Sequence, residues 1–174
     1  FFQLTDKFLL IRYLFLHIID CPFSNQSDNI ILHTLDLTLL IQKPETPVYV
    51  MADGRHFWRV IDNLMNNICK YAQPGTRVYV DLRENGGQVE LIFRNTSRYP
   101  LNISSEELME RFVRGDESRN TEGSGLGISI AKSLMELMGG SFMLYVDGDL
   151  FKVVLGFAQM EEEKEPLDED KSGK

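Results

Sequence analysis

The strongest constraint on the fold is a pair of β-hairpins that follows directly from the alternation of apolar residues. Every second residue is apolar in four segments, and the members of each pair are separated by a short turn that contains glycine. Period-two alternation places these side chains on one face of a strand, and Asn-Gly and Asp-Gly turns favour tight hairpins. The pattern therefore predicts two antiparallel hairpins with one buried face. Their segments are 78–82 with 89–93, across Asn85-Gly86-Gly87, and 142–146 with 151–155, across Asp147-Gly148.

Helical periodicity appears before and between the hairpins. Apolar residues spaced at i, i+3, i+4 and i+7 predict a helix over 55–71, with Asp53 as its N-cap and Pro74-Gly75 as its stop. A capping-box spacing that begins at Ser104 predicts a second, short helix. A third helix is predicted from an apolar stripe and ends at the pair Gly139-Gly140. The stripe consists of Leu126, Ile130, Leu134 and either Leu137 or Met138.

Two further strand-like segments, 36–42 and 48–51, precede the first helix. Strands that are interspersed with helices, with hairpins dominating, predict an α+β fold. We expect a mixed, mostly antiparallel sheet that is covered on one face by helices.

Charge and composition divide the chain into three parts. The formal net charge is −8, and the stretch 161–174 alone contains seven acidic and three basic residues. We therefore predict an acidic, disordered tail over 160–174, a folded domain over 31–159 and a less interpretable segment over 1–30. An acidic body without a basic stripe argues against a nucleic-acid partner, since phosphate neutralisation dominates such binding. The apolar run 8–19 is shorter than a membrane helix and is interpreted as a core segment or as the cut edge of a longer protein.

The first predicted helix carries a polar stripe that indicates a candidate functional site. Asn63, Asn67 and Lys70 follow Arg59 at helical spacing, so the four side chains share the face opposite the apolar stripe. Asparagine is a mediocre helix former, and an asparagine-rich face breaks the local rule, as functional sites often do. An amide oxygen can ligate Mg²⁺ and a lysine can meet phosphate. The alternative is a polar face that merely contacts a neighbouring loop.

A second candidate site is the run Gly123-Ser124-Gly125-Leu126-Gly127, which leads into the third helix. Glycines allow successive N–H groups to point at one anion, and a helix N-terminus adds partial positive charge. A plain flexible connector is the alternative. Arg114 and Arg119 lie in the polar segment just before this run, where they could close on phosphates as part of a mobile lid. Combined with the asparagine face, the pattern predicts one pocket for Mg²⁺ and a polyphosphate.

These motifs resemble those of a known family. The segment 53–71 resembles the N box of bacterial sensor histidine kinases, 110–119 their F box, and 123–132 their second glycine box. The resemblance implies the ATP-binding catalytic domain of the GHKL superfamily, a two-layer α/β sandwich of helices on a mixed sheet. It implies that ATP and Mg²⁺ are the cofactors.

The resemblance also implies roles for individual residues. Asn67 would coordinate Mg²⁺ with support from Asn63, Lys70 would meet phosphate, and Tyr71 would line the adenine and ribose side. The phosphate chain would be held by the backbone of Gly123, Gly125, Leu126 and Gly127.

One position departs from the family pattern. Where the family usually has an Asp-x-Gly-x-Gly motif, this chain has Asn95 followed by Thr96 and Ser97. The resemblance implies that this position accepts a hydrogen bond from the amine of adenine. An asparagine oxygen can still accept it, but a neutral bond is weaker than a charged one by about 1 kcal/mol. The departure motivates an alternative function, a degenerate domain that binds nucleotide weakly or not at all and acts as a protein-interaction module.

The phosphoacceptor histidine of such kinases is missing from this pattern. His17 has the spacing to Pro22 but lacks the acidic neighbour, so we expect the acceptor on a separate dimerisation domain. The resemblance then implies a response regulator as the further partner, and a cytoplasmic domain of a homodimeric sensor in the inner or plasma membrane. Other GHKL members, an anti-sigma serine kinase or a gyrase-type ATPase, are a third possibility.

Overall fold

A seven-stranded mixed sheet forms the frame of the protein. The computed structural model describes residues 8–10, 36–101, 104, 106–108 and 126–160 of the 174 residues. The strands and helices, in chain order, are β1 (Phe8–Leu10), β2 (Thr38–Gln42), β3 (Tyr49–Met51), α1 (Gly54–Tyr71), β4 (Arg77–Asn85), β5 (Gln88–Thr96), α2 (Gly127–Leu137), β6 (Ser141–Asp147) and β7 (Leu150–Met160). Residues 106–108 are also helical.

The sheet is mostly antiparallel, as the sequence predicts. Its strand order is β1-β3-β7-β5-β4-β2, and β6 also pairs with β7. The one parallel pairing in the described sheet is β2 with β4, which makes the sheet mixed. Strand β1 pairs with β3, so a piece of the N-terminal segment extends the sheet. The division of the chain into three parts remains a prediction.

Both predicted hairpins are confirmed in register. Val80 lies opposite Phe93 in the first hairpin, and Leu144 lies opposite Val153 in the second. Gly86 and Gly87 have φ of 57° and 80° at the first turn, a left-handed conformation that glycine adopts without steric cost. Turn chemistry and apolar alternation thus agree on the register of both hairpins.

The core lies between one face of the sheet and the two helices. Helix α1 buries the whole predicted stripe, and the ring of Phe57 meets the edge of Phe157 on β7 with centroids 5.5 Å apart. Burying such side chains stabilises the fold by about 1.5–3 kcal/mol each. The buried residues of α1 are Phe57, Val60, Ile61, Leu64, Met65, Ile68 and Cys69.

The predicted stripe of α2 is confirmed in part: Leu134 and Met138 are half-buried and pack against the core, but the most deeply buried residues lie beside the stripe. The residues that this helix buries are Ile128, Ala131 and Met135, whereas Leu137 is 71% exposed. Apolar residues occupy several faces of α2, so periodicity alone could not choose among them. A Cβ added at Gly140 would lie 2.8 Å from Cε of Met135 and 2.8 Å from Cε1 of Phe157, so both buried side chains lie close to this glycine after the helix.

Helix α1 begins at the predicted cap. The carboxylate of Asp53 accepts hydrogen bonds from the backbone N–H groups of Arg55 at 2.9 Å and His56 at 3.0 Å. The bond from His56 is the main cause that lowers the pKa of Asp53 below its usual range. A lowered carboxyl pKa contributes stability above the usual pKa of a free aspartate, and this contribution is lost as pH falls through the lowered pKa.

We therefore predict a pH-dependent role for Asp53. Asp53→Asn keeps a capping oxygen but no titrating charge, so the wild-type chain should have the higher melting temperature at neutral pH. That advantage should vanish between about pH 5 and pH 2, as the carboxyl protonates. Thermal unfolding followed by circular dichroism measures the difference, with Asp53→Ala as the variant that lacks any cap. A difference that is constant across this range would contradict the assignment.

Candidate functional site

The polar face of α1 meets the first turn of α2. A Cβ added at Gly127 would lie 3.1 Å from Oδ1 of Asn63, and the three heavy atoms nearest to it all belong to Asn63. That separation is shorter than ordinary van der Waals contact, so the absence of a side chain at Gly127 permits the approach. The two candidate sites that the sequence marks separately therefore adjoin each other in space.

The amide of Asn63 is held in one orientation. Its Nδ2 donates to the backbone carbonyl of Arg59 at 2.7 Å, one turn earlier in the helix. This bond leaves Oδ1 as the atom that faces Gly127. A back-bond of this kind satisfies the amide nitrogen within the helix and presents the oxygen, a hard ligand, toward α2.

Among the described residues, no side chain caps the N-terminus of α2. Leu126 occupies the N-cap position and makes no side-chain hydrogen bond there, and the first turn contains no acidic residue. The N–H groups of a helix's first turn lack intrahelical partners and carry partial positive charge. Such an N-terminus, next to an amide oxygen, suits an anion that carries a divalent cation.

The other candidate residues of α1 lie further along the helix. Asn67 and Tyr71 are half-buried, and Lys70 is exposed in the last turn, where a cation also complements the helix dipole. Asn66, which flanks the stripe, is exposed. Among the residues that the structure describes, no group of three or more His, Cys, Asp or Glu side chains could hold a metal ion.

The end of β5 forms a third side of the site. The backbone N–H of Arg98 donates to the carbonyl of Tyr71 at 2.7 Å, and that of Gln73 donates to the carbonyl of Thr96 at 2.9 Å. An isolated antiparallel bridge joins Ala72 to Ser97. These bonds fasten the strand that carries Asn95 to the end of the helix that carries Asn67 and Tyr71.

Asn95 is a buried amide with an unpaired oxygen. Its side chain is 3% exposed, and its Oδ1 has no hydrogen-bond partner among the described residues. Its Nδ2 donates to the carbonyl of Thr96 at 3.2 Å. Sequence reasoning found Asn95 but missed the Thr96 carbonyl, because a main-chain acceptor leaves no signal in the residue type.

Several predicted site residues lie outside the described part of the chain. They are Arg114, Arg119, Gly123, Ser124 and Gly125. The described residues of the candidate set are Asn63, Asn67, Lys70, Tyr71, Asn95, Leu126 and Gly127. Within that set, the contact that the structure gives directly is between Asn63 and Gly127.

Comparison with known proteins identifies the class. The chain belongs to the family of histidine kinase-, DNA gyrase B- and HSP90-like ATPases, whose family model matches residues 52–166. It is 30% identical over 125 residues to the probable sensor kinase SilS of Salmonella typhimurium, an alignment that covers 71% of this chain and 25% of that protein. The aligned part spans about a quarter of the length of that relative.

Solved structures of histidine kinases share the fold. The catalytic domain of histidine kinase ThkA, in a nucleotide-free form, superposes with a TM-score of 0.69 at 16% identity, covering 87% of this chain and 93% of that domain. Full-length ShkA in complex with AMPPNP matches with a TM-score of 0.60 at 19% identity, over 82% of this chain and 30% of ShkA. The predicted α+β fold and the histidine-kinase resemblance are confirmed, and the degenerate interaction module is not favoured.

None of the described helices combines the length and the apolar character that a membrane crossing requires.

The close approach of Asn63 and Gly127 leads to a testable prediction about the free energy of unfolding. Gly127→Ala gains helix propensity of about 1 kcal/mol but crowds an amide oxygen that is fixed by its bond to Arg59. In an Asn63→Ala background this crowding disappears. Gly127→Ala should then raise the free energy of unfolding by about 0.5–1 kcal/mol more than it does in the wild-type chain. Chemical denaturation of the four chains measures this coupling.

Asn67→Ala is the matched control for that cycle, because no atom of Asn67 is among those nearest to the added Cβ. The effects of Asn67→Ala and Gly127→Ala on the free energy of unfolding should be additive. Additivity with Asn63→Ala as well would show that the two helices do not meet as described.

Proposed function

We propose that this chain binds Mg·ATP between α1, the start of α2 and the end of β5, and that it supplies the γ-phosphoryl group for a protein-histidine kinase. The observation that carries the proposal is the apposition of Asn63 Oδ1 and Gly127, which puts an amide face beside the N-terminus of α2. Family membership supports ATP as the nucleotide. The AMPPNP in the ShkA complex supports a nucleotide site of the same kind in this chain.

The donor set fits magnesium and a polyphosphate. In our proposal the amide oxygen of Asn67 ligates Mg²⁺, and the back-bonded Asn63 supports that site from the preceding turn. Mg²⁺ keeps several waters and binds through few protein ligands together with substrate phosphates, so one amide oxygen is a sufficient protein contribution. Bound Mg²⁺ would neutralise charge on the phosphate chain.

The remaining roles follow from charge and position. Lys70 would approach phosphate as a point cation, and Tyr71 would line the base and ribose side, next to the backbone bond that joins it to Arg98. The N–H groups at Leu126 and Gly127 would meet phosphate at the start of α2. Arg114, Arg119, Gly123, Ser124 and Gly125 complete the proposed site on the strength of the sequence motifs.

The proposed reaction needs no nucleophile from this chain. The bond between the γ-phosphorus and the bridging oxygen breaks, a bond from phosphorus to an imidazole nitrogen forms, and ADP leaves. Such transfer depends on positioning and charge neutralisation, which a binding domain provides. The acceptor histidine would lie on a dimerisation domain of the same protein, and a response regulator would receive the group next. We propose that the intact protein is a homodimeric membrane sensor with this domain in the cytoplasm.

Removal of one amide tests the metal role. Asn67→Ala should abolish Mg·ATP binding in calorimetry while leaving the circular dichroism spectrum unchanged, because the ligand to Mg²⁺ is gone. Asn67→Asp, which adds negative charge beside the phosphates, should have the same effect. Asn66→Ala is the matched control, since Asn66 lies on the same helix but is exposed.

Unchanged affinity in Asn67→Ala would remove Asn67 from the metal site. Failure of the wild-type chain to bind Mg·ATP would instead favour the degenerate interaction module.

Phosphotransfer tests the kinase assignment. The chain, mixed with γ-labelled Mg·ATP and a separately produced dimerisation hairpin from a sensor histidine kinase, should label that hairpin with an acid-labile phosphate. A hairpin with glutamine in place of the acceptor histidine should remain unlabelled. ATP hydrolysis without transfer would favour a gyrase-type ATPase, and an acid-stable phosphoserine on a partner would favour a serine kinase of the same superfamily.

A further inference from the structure

Strand β6 lies at an edge of the described sheet. Among the described residues it pairs with β7 alone, from Ser141 opposite Gly156 to Asp147 opposite Leu150, in a continuous register without a bulge. Within that part of the chain, its other side presents a row of main-chain N–H and C=O groups to a further strand. The seven residues of β6, at about 3.4 Å each, give this edge a length of about 24 Å.

The residues of β6 are unusual for an edge strand. Five consecutive residues, 142–146, are apolar, and the strand contains no Lys, Arg or Pro. Its one charged residue, Asp147, is the last. Edge strands of natural proteins are protected from pairing by charged side chains, proline, a bulge or a very short length. Because the centre of β6 has none of these protections, the strand indicates a surface that pairs with another chain.

Apolar side chains of β6 lie on both faces of the sheet. Phe142, Leu144 and Val146 are half-buried and pack against the core. Met143 and Tyr145 lie on the opposite face, where they are 40% and 47% exposed, and the hydroxyl of Tyr145 donates to Sδ of Met143 at 3.3 Å. A strand that paired with this edge would extend the core on one face and cover Met143 and Tyr145 on the other.

We propose that β6 pairs antiparallel with β6 of a second copy of this chain, about a two-fold axis at Leu144. This axis brings all seven residues of the strand into the pairing. Met143 then lies opposite the second copy's Tyr145, so a sulfur–aromatic contact forms twice on the exposed face. Phe142 lies opposite the second copy's Val146 on the core face, where aromatic and β-branched side chains pair favourably.

The charges of the strand favour a second copy over a strongly charged partner. In the proposed register Asp147 lies opposite the second copy's Ser141, whose hydroxyl can donate to the carboxylate. The two Asp147 carboxylates lie about 20 Å apart along the paired strands, which exceeds the screening length of about 8 Å at physiological salt. The strand is therefore self-complementary, whereas it carries no basic or acidic pattern that would select an oppositely charged peptide.

The pairing is weak in the isolated chain and becomes effective when two copies are tethered. One strand pair buries less than the about 1,200 Å² at which stable interfaces begin, so we expect a dissociation constant of about 0.1–1 mM. In the homodimer that we propose for the intact protein, an effective concentration of about 1 mM is enough to pair the strands. That consequence rests on the proposed function, whereas the pairing itself requires no nucleotide.

Sedimentation equilibrium of the chain without nucleotide tests the pairing. The apparent mass should rise from that of a monomer at about 10 µM toward that of a dimer at about 1 mM. Tyr145→Lys places a charge on the edge strand and should weaken the dimer at least about tenfold. A wild-type chain that remains monomeric at about 1 mM overturns the inference and leaves the edge to a strand of a different protein.

Two lysine substitutions are matched controls for Tyr145→Lys. Tyr99→Lys changes an exposed tyrosine outside β6, and Leu40→Lys changes an exposed apolar residue of β2, another edge of the described sheet. Both should dimerise like the wild-type chain, and circular dichroism checks that all three variants are folded. Loss of the dimer in either control, or its retention in Tyr145→Lys, overturns the assignment to β6.

Engineered cysteines test the register. The two Met143 residues of the proposed dimer lie diagonally, with Cα atoms about 7–8 Å apart, which is too far for a disulfide. A mixture of Met143→Cys and Tyr145→Cys chains, one of them tagged so that the dimers differ in size, should therefore cross-link mainly between the two variants. Both carry Cys21→Ser, and the other native cysteine, Cys69, is buried. Equal cross-linking within and between variants, or none, overturns the proposed axis.

Discussion

The site depends on how closely α1 and α2 approach each other. Gly127 has no side chain, and the space where a Cβ would stand is limited by the oxygen of Asn63. Because of this approach, an amide face and a helix N-terminus adjoin each other, two features that separately bind little. A helix N-terminus attracts anions, and an amide oxygen attracts a hard cation, so their proximity suits an anion and a cation bound together.

The two asparagines with described side-chain bonds at the site are oriented in the same way. Nδ2 of Asn63 donates to the carbonyl of Arg59, and Nδ2 of Asn95 donates to the carbonyl of Thr96. In both cases a main-chain carbonyl takes the donor and leaves the oxygen turned elsewhere. Local bonds of this kind explain why asparagine is costly inside a helix yet useful there, since the backbone fixes a ligand without recruiting another side chain.

Local signals in the sequence predicted most of the fold. Turn glycines and alternation gave the register of both hairpins, and the Asp53 cap with its periodic stripe gave α1, because each signal depends on residues close along the chain. The stripe of α2 was predicted only in part: Leu134 and Met138 pack half-buried against the core, whereas the deepest residues are Ile128, Ala131 and Met135. Apolar residues surround this helix, so its periodicity does not single out one face. Strand β1 was not predicted, because its partner β3 lies some forty residues later in the chain.

The sequence by itself determined which chemistry is available: amide oxygens, one lysine, glycines before a helix and an asparagine in place of an aspartate. Tertiary structure decided where each group points. Asp81, polar and on the face of β4 opposite the core, is fully buried because Arg83 and Arg94 both donate to it, and no local pattern announces that burial. The orientation of Asn95 likewise comes from a main-chain carbonyl that has no counterpart in residue identity. Composition and period specify elements, whereas the direction of a polar atom depends on backbone groups that only the folded chain brings together.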